Sequence, residues 1–378
     1  MSLALSTLLY EWRRYLGAVI ALAVAGLLVL TLTGLGMGLG KSVTTTVDRS
    51  PAAVLVVPPD AEDLFSGRTL PRRIIPEIYQ HSEVLEVKAL NISFGNWSNF
   101  PAEGQPAKTD GVQIIIIDPV QGAVTLPNDF HENLINALQE PFTVVVDRSS
   151  LGKLGVRLND KAKLWDHTVW VRATTEGYPS LFSSIVFVSH QTAKLLNLSD
   201  EGPRVGALVV KIRDANRARQ VANDLNQMGK GQYKAWSRED FSEVSQRSML
   251  KDSFFMVVLG FAVVVGTFIG IVITWQTLQG AIMANIKEFA SLRALGISMR
   301  SLRLIIMELS LWVGLAGLIL ASALSAGVWL LAQTFGVPMS FPLFIDIPIA
   351  TAMLIIAILS GVFSLGVLKK SQPADLLR

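Results

Sequence analysis

Hydrophobic residues along this chain follow two rhythms. Residues 16–40 and 254–283 contain no charged side chain, residues 304–335 contain only Glu308 near their start, and residues 347–368 contain none, with Asp346 at their entrance. An α-helix rises about 1.5 Å per residue, so about 20 apolar residues cross a hydrocarbon core about 30 Å thick. All four windows reach that length, which predicts four membrane-spanning helices. Ahead of the first, residues 1–15 set Leu5, Leu8, Leu9 and Trp12 at helical spacing against Glu11, Arg13 and Arg14. That pattern predicts a short amphipathic helix. A signal peptide has an apolar stretch of about 7–15 residues; the first window is longer and reads as an uncleaved span.

Between the first two windows the rhythm shortens. Residues 53–57, 85–90, 112–117, 143–146, 168–173, 185–188 and 207–212 are rich in β-branched side chains and read as strands. Residues 214–228 set Ala215, Ala218, Val221, Ala222, Leu225 and Met228 on one helical face. With 207–212 before it and a strand at 233–236 after it, this helix makes a β-α-β run. A helix at 74–80 leading into 85–90 is a weaker echo, so two small α/β lobes are expected. Residues 237–252 are polar and helix-compatible, a stalk continuing the second span. The expected fold class is a membrane α-helical protein of four transmembrane helices, both termini cytoplasmic, with a large extracytoplasmic α+β domain between helices 1 and 2. The expected partition is an amphipathic helix 1–15, spans 16–40, 253–283, 304–336 and 347–368, an external domain 41–252, a cytoplasmic coupling segment 284–303, a short external loop 337–346 and a cytoplasmic tail 369–378.

Charge fixes the orientation. Of the 378 residues 51% are hydrophobic, and residues 41–252 carry 24 Lys and Arg against 25 Asp and Glu. That region is near neutral, so the net charge of +3 comes from short basic segments beside the spans. Arg13 and Arg14 precede the first span. Lys287, Arg293, Arg300 and Arg303 lie between the second and third, and Lys369, Lys370 and Arg378 follow the fourth. Residues 337–346 have no basic side chain. By the positive-inside rule the termini and the middle loop are cytoplasmic, with Arg13, Arg14, Lys369 and Lys370 as anchors. This reads as a multi-pass protein of a bacterial inner membrane. No basic stripe interleaved with aromatics occurs, so nucleic acid is not an expected partner.

Catalytic chemistry is hard to place. There is no cysteine, hence no disulfide or thiolate site. No phosphate-binding Gly-rich loop ending in Lys-Ser/Thr is present. His81, His131, His167 and His190 are scattered without metal-ligand spacing. Asp147, Arg148, Ser149 and Ser150 have no histidine near them in sequence, and a strand-to-turn junction accounts for them. No catalytic or metal-binding set is expected. No ionisable residue sits at the centre of any span, which argues against a proton- or ion-coupled carrier. Gly266 and Gly270 form a Gly-x-x-x-Gly pair in the second span, suited to close helix packing or a dimer seam.

The cytoplasmic stretch from Ile286 to Glu308 carries the most specific pattern. Phe289, Leu292 and Leu295 fall on one side of a short helix with Lys287, Glu288 and Arg293 around it, and Gly296 is placed to end it. On physical grounds alone this is either a lever docked on a cytoplasmic protein or an amphipathic connector lying on the bilayer. The stretch resembles the signature of MacB/FtsX-type ABC permeases: Lys287-Glu288, Gly296 and Glu308 fall where that family has a charged-Glu pair, a glycine and a later glutamate. Pro373-Ala374-Asp375, running into Leu377-Arg378, resembles the family's C-terminal ending, and Val145 to Val156 is similar to a segment of its external domain. With only about fifteen residues before the first span, the chain looks like the separate-permease branch (DevC-like, LolC/LolE-like, heme-exporter-like).

The resemblance implies a non-catalytic membrane subunit working by mechanotransmission, exporting or extracting a hydrophobic or amphipathic substrate from the membrane or periplasm. An FtsX-type signal transducer acting on a periplasmic partner is the alternative. It further implies two copies of a cytoplasmic ABC ATPase holding ATP and Mg, no cofactor in this chain, and a second permease copy as a homodimer. A periplasmic adaptor and an outer-membrane channel are further expected partners. ATPase coupling would fall to Lys287, Glu288, Phe289, Leu292, Arg293 and Gly296.

Overall fold

The computed structural model describes residues 8, 10–64, 69–101, 104, 106–180, 183–198, 202–252, 254–284 and 298–364. Helix α1, Trp12–Asp48, is one uninterrupted helix of 37 residues. Strand β1 (Val54–Val57), β2 (Leu70–Pro71), helix α2 (Ile74–Ile78) and the long strand β3 (Val84–Asn99) follow. Next come β4 (Thr109–Ile117), α3 (Glu132–Gln139), β5 (Thr143–Asp147), a 3-10 turn (Arg148–Ser150), α4 (Leu151–Leu154), β6 (Lys161–Leu164), β7 (His167–Thr175) and β8 (Ser184–Ser189). The chain continues through α5 (His190–Leu195), β9 (Arg204–Val205), β10 (Ala207–Ile212), α6 (Ala218–Gly229), β11 (Lys234–Ser237) and α7 (Arg238–Asp252). Helices α8 (Phe254–Ala284), α9 (Met299–Thr334) and α10 (Leu343–Ser364) complete it. Among the described residues four helices, α1 and α8 to α10, are long and apolar enough to cross a membrane. The chain divides into a helical unit (Met1–Met37, Phe254–Leu331, Met339–Arg378) and a sheet-bearing unit (Gly38–Ser253, Ala332–Pro338).

The first lobe of the sheet-bearing unit is an antiparallel sheet in the order β11-β1-β10-β3. Helices α2 and α6 cover one face, where Ile74, Ile78, Val221 and Leu225 pack on Val54, Val56, Leu208 and Val210. Side chains alternate across a strand, so Leu55, Val57 and Val209 form the opposite face, with Val47 of α1 and Phe241 of α7. Both faces are apolar, which is why β1 has no polar position. Two β-α-β units interleave here in a β-α-β-β-α-β plan.

The second lobe is inserted between β3 and β10. Strand β3 pairs with β10 through its first half, with β4 from Asn91 to Ser98, and with β6 at Trp97 to Asn99. Strands β4-β8-β5-β7-β6 therefore return to β3 and close a ring, leaving no open edge there. Trp97 is buried inside it among Val112, Ile114, Val144, Val171 and Val186, its Nε1 donating to the Leu154 carbonyl at 3.3 Å. Truncating such a side chain costs about 3–5 kcal/mol. Helix α3 lies outside the ring, with Ile135 and Leu138 against Phe130, Tyr178 and Phe187.

Several boundaries differ from the sequence expectation. Trp12 to Tyr15 belong to α1, after a bend at Glu11; Leu8 and Tyr10 before the bend are helical, and residues 1–7 and 9 of the expected amphipathic helix lie outside the described residues. Helix α1 runs eight residues past Gly40, because Val47 finds a core in the first lobe. Helix α9 starts at Met299, where Ser298 accepts from the Ser301 amide at 3.2 Å and caps the helix. Residues 343–346 of the expected external loop are helical, the first turn of α10.

In the helical unit glycines set the helix registers. A Cβ built on Gly17 would meet Thr277, one on Gly270 would meet Ala25, and one on Gly266 would lie 2.5 Å from Leu28 Cδ2. These pairs run in opposite directions, so α1 and α8 are antiparallel. Gly314 faces Ala357 and Gly361 faces Ser310, making α9 and α10 antiparallel as well. Gly317 faces Leu22 and Gly26 faces Ala321, so α1 and α9 are parallel. The four helices alternate in direction in chain order.

Candidate functional site

The end of α1 and helix α7 lie side by side, and their polar residues face each other. Thr44 Oγ1 donates to Asp48 Oδ2 at 2.7 Å, and Ser242 Oγ lies 3.0 Å from Thr44 Oγ1 and 3.2 Å from Asp48 Oδ2. Gln246 Nε2 donates to Ser242 Oγ at 3.0 Å. One turn on, Arg238 Nη1 donates to the Ser50 carbonyl at 3.0 Å. Contacts step from Gln246 towards Arg238 as α1 steps from Thr44 to Ser50, which is an antiparallel helix pair. Helix α7 opens with a serine N-cap: Ser237 Oγ accepts from the Asp240 amide at 3.2 Å and donates to Asp240 Oδ2 at 2.6 Å. That bond, with Arg219 alongside, holds the Asp240 carboxyl below its usual range. Burial pushes the Asp48 carboxyl up, and the hydrogen bonds from Thr44 and Ser242 only partly offset it.

Arg49, the residue after α1, joins this pair to the second lobe. Its Nη1 donates to Asp129 Oδ2 at 2.6 Å and to the Glu176 carbonyl at 3.0 Å. Its guanidinium carbon lies 4.6 Å from the ring centroid of Tyr178. Tyr178 Oη donates to Asp129 Oδ1 at 2.7 Å, and its amide donates to Asp147 Oδ2 at 2.9 Å. Burial first, then the bond to Asp129, drives the Tyr178 phenol well above its usual range, so it stays a donor. Burial opposes the Arg49 charge, but Tyr178 and Asp129 more than offset it. Gly177 has φ +89° and a Cβ there would collide with the guanidinium, so the close approach requires glycine.

Asp147 is buried at the strand-to-turn junction, its Oδ1 accepting from the Ser149 amide at 3.0 Å and from Ser149 Oγ. The segment after α9 reaches the same turn. Val337 donates to the Ala332 carbonyl at 2.9 Å and Gly336 to Gln333 at 3.2 Å, a Schellman cap with Gly336 at φ +67°. A Cβ on Gly336 would lie 2.6 Å from Ser149 Cβ. The end of α1 and the Asp147 to Ser150 turn thus meet in one bonded cluster, and the α9 cap packs against its Ser149. Arg49 and its Glu176 acceptor alone are 127 residues apart along the chain, and only the turn was visible in the sequence.

The other sequence-predicted residues fall elsewhere. Gly266 and Gly270 pack on Leu28 and Ala25 of α1 in the same chain. Arg13 and Arg14 lie in the first turn of α1, with Arg14 paired to Glu11 at 2.8 Å. Lys287, Glu288, Phe289, Leu292, Arg293, Gly296, Lys369 and Lys370 lie outside the described residues. The four histidines have local roles: His81 faces Asp224, His131 precedes α3, His167 stacks on Phe142 and His190 faces Asp118. No group of side chains suited to a metal ion occurs among the described residues.

Residues 260–373 match the family model described as FtsX-like permease C-terminal, which bears out the resemblance to MacB/FtsX-type permeases. No curated protein matches the chain. Among solved structures, the periplasmic region of MacB from Actinobacillus actinomycetemcomitans is similar at 15% identity over 53% of this chain and 94% of that one, with a TM-score of 0.34. The extracellular domain of the noncanonic ABC-type transporter YknZ from Gram-positive bacteria is similar at 14% identity over 49% of this chain and all of that one, with a TM-score of 0.32.

Proposed function

We propose that this FtsX-like, MacB-like permease chain is the membrane lever of an ATP-driven transport machine, carrying motion from a cytoplasmic ABC ATPase to the lobes between its first two spans. The observation behind this reading is the bonded cluster around Arg49. It ties the end of one uninterrupted helix, α1, to the second lobe, against whose Ser149 the α9 cap packs. An element stiff over 37 residues and fixed by charge-assisted bonds at its end moves its load rather than bending.

The remaining assignments follow. Basic residues at 13, 14, 287, 293, 369 and 370 set those segments on the cytoplasmic side of a bacterial inner membrane. Lys287, Glu288, Phe289, Leu292, Arg293 and Gly296 form the surface that docks the ATPase. ATP and Mg reside in two ATPase copies, and this chain is non-catalytic. A second copy of the chain completes a homodimer, and the substrate is a hydrophobic or amphipathic molecule taken from the membrane or periplasm. A periplasmic adaptor and an outer-membrane channel extend the path.

The test is co-purification of the full chain with an ABC ATPase in lipid nanodiscs. The wild type is expected to bring the ATPase with it, and Glu288→Ala and Gly296→Leu to insert normally while losing coupled hydrolysis. Full coupling in both variants, or a chain that never binds a nucleotidase, contradicts the proposal.

A further inference from the structure

Within the helical unit, α1, α9, residues 339–341 and the start of α10 line an open cavity of about 650 Å³. Its wall is largely apolar, with Leu30, Leu318, Trp329, Phe341 and Ile347. Ser322, Ser325, Ser340 and Asp346 break that wall, and two of them matter here. Ser325 is 4% exposed and its Oγ has no hydrogen-bond partner, whereas Thr267, Thr277 and Thr351 satisfy theirs on the carbonyl four residues back. Thr31, Thr274 and Ser310 are unpartnered too, but of these four hydroxyls only that of Ser325 lines the cavity. Asp346 lines the same cavity; its amide donates to the Pro342 carbonyl, and among the described residues no ion pair or hydrogen bond holds its carboxylate. A carboxylate in the first helical turn is favoured by the helix dipole wherever it occurs. The unpaired, buried hydroxyl in the same wall is not explained that way, because such a group costs about 1–3 kcal/mol unless a partner arrives.

We infer that this cavity binds a long-chain cationic amphiphile, its alkyl chain against Trp329 and Leu318, its ammonium at Asp346 and a polar head atom at Ser325. The volume suits an amphiphile rather than a single water cluster, since small-molecule pockets span about 300–1,000 Å³. The sign of charge follows from Asp346: an anionic head would meet a carboxylate at short range, while an ammonium supplies its missing counter-ion. Serving as the transported substrate rests on the permease reading above; binding itself does not.

Trp329 in the wall makes the binding measurable. The full chain is reconstituted without any ATPase and titrated with bromine-tipped long-chain alkylamine, alkanol and alkanoate, following the quenching that disappears in Trp329→Phe. The amine is expected to quench saturably and about tenfold more tightly than the alkanol, with the alkanoate weakest. Asp346→Asn should bring the amine down to the alkanol while leaving alkanol quenching intact, which also shows the variant is folded. Ser325→Leu should weaken amine and alkanol together. Equal, non-saturating quenching by all three means bulk lipid only and overturns the inference, as does an amine preference that survives Asp346→Asn. Saturable amine binding in a chain that binds no ATPase would leave this site standing while removing the permease reading.

Discussion

Arg49 lies across the ring of Tyr178 at 4.6 Å while sharing the carboxylate of Asp129 with the Tyr178 hydroxyl. The cation and the phenol thus hold each other and one acid, where α1 ends and the second lobe begins. Arg49→Ala removes a charge-assisted bond and a cation-π contact, together about 2–4 kcal/mol. Thermal unfolding of the reconstituted chain should show that loss. Arg49→Lys should recover only part of it, because a point charge cannot serve Asp129, the Glu176 carbonyl and the ring at once. An unchanged melting temperature in Arg49→Ala would remove the junction from the account.

Asp48 gives the α1–α7 pair a pH dependence. Its folded carboxyl is raised above 3.8 by burial, so the folded state binds more protons than the unfolded chain between 3.8 and the raised value. Stability contributed by this group is therefore present below that window and is lost as pH rises through it. Asp48→Asn should raise the melting temperature at neutral pH and have little effect at pH about 3.8 or below. A variant less stable than wild type at neutral pH would show that the carboxylate form is the one the stalk needs.

Gly336 is the third arm of the junction. A β-branched residue at φ +67° is strained by about 1–2 kcal/mol, and its side chain would displace Ser149. Gly336→Val should impair coupling while leaving ATPase binding intact, whereas Gly327→Val, with open space around it, should cost much less. Equal behaviour of the two variants would leave Gly336 as an ordinary cap.

The lack of cysteine makes the homodimer testable by cross-linking. Val257, Phe261, Val264, Phe268 and Trp275 are exposed along one stripe of α8 at spacings of three, four and seven, whereas Gly266 and Gly270 are already filled by α1. Phe261→Cys and Phe268→Cys should form disulfide-linked dimers in membranes and Gly270→Cys should not. Cross-linking through Gly270 alone would move the seam to the α1 side.

The elements that sequence reasoning located are those whose burial is written locally. Strand β1 is an uninterrupted apolar run, β10 is apolar apart from Lys211, and α6 shows its apolar face at helical spacing. The second half of β3, Asn91 to Asn99, reads as a polar loop rich in Asn, Ser and Gly. It is a strand because β4 and β6 pair with it and Trp97 fills the ring, partners that no local window contains. The junction was hidden for the same reason. Asp147 to Ser150 stood out as a cluster, but Asp129 is an ordinary surface acid, and the Glu176 carbonyl an ordinary backbone group, until Arg49 reaches them from 80 and 127 positions away.

The central claim is that nucleotide binding below the membrane moves the lobes above it through α1. With a spin label on Leu158→Cys, at an exposed site of the second lobe, the distance between the two copies is measured by pulsed electron resonance in nanodiscs containing the ATPase. The account predicts a shift between the nucleotide-free and ATP-trapped states, lost in Gly296→Leu and in Arg49→Ala. An unchanged distance in the wild type, or a full shift in both variants, would contradict it.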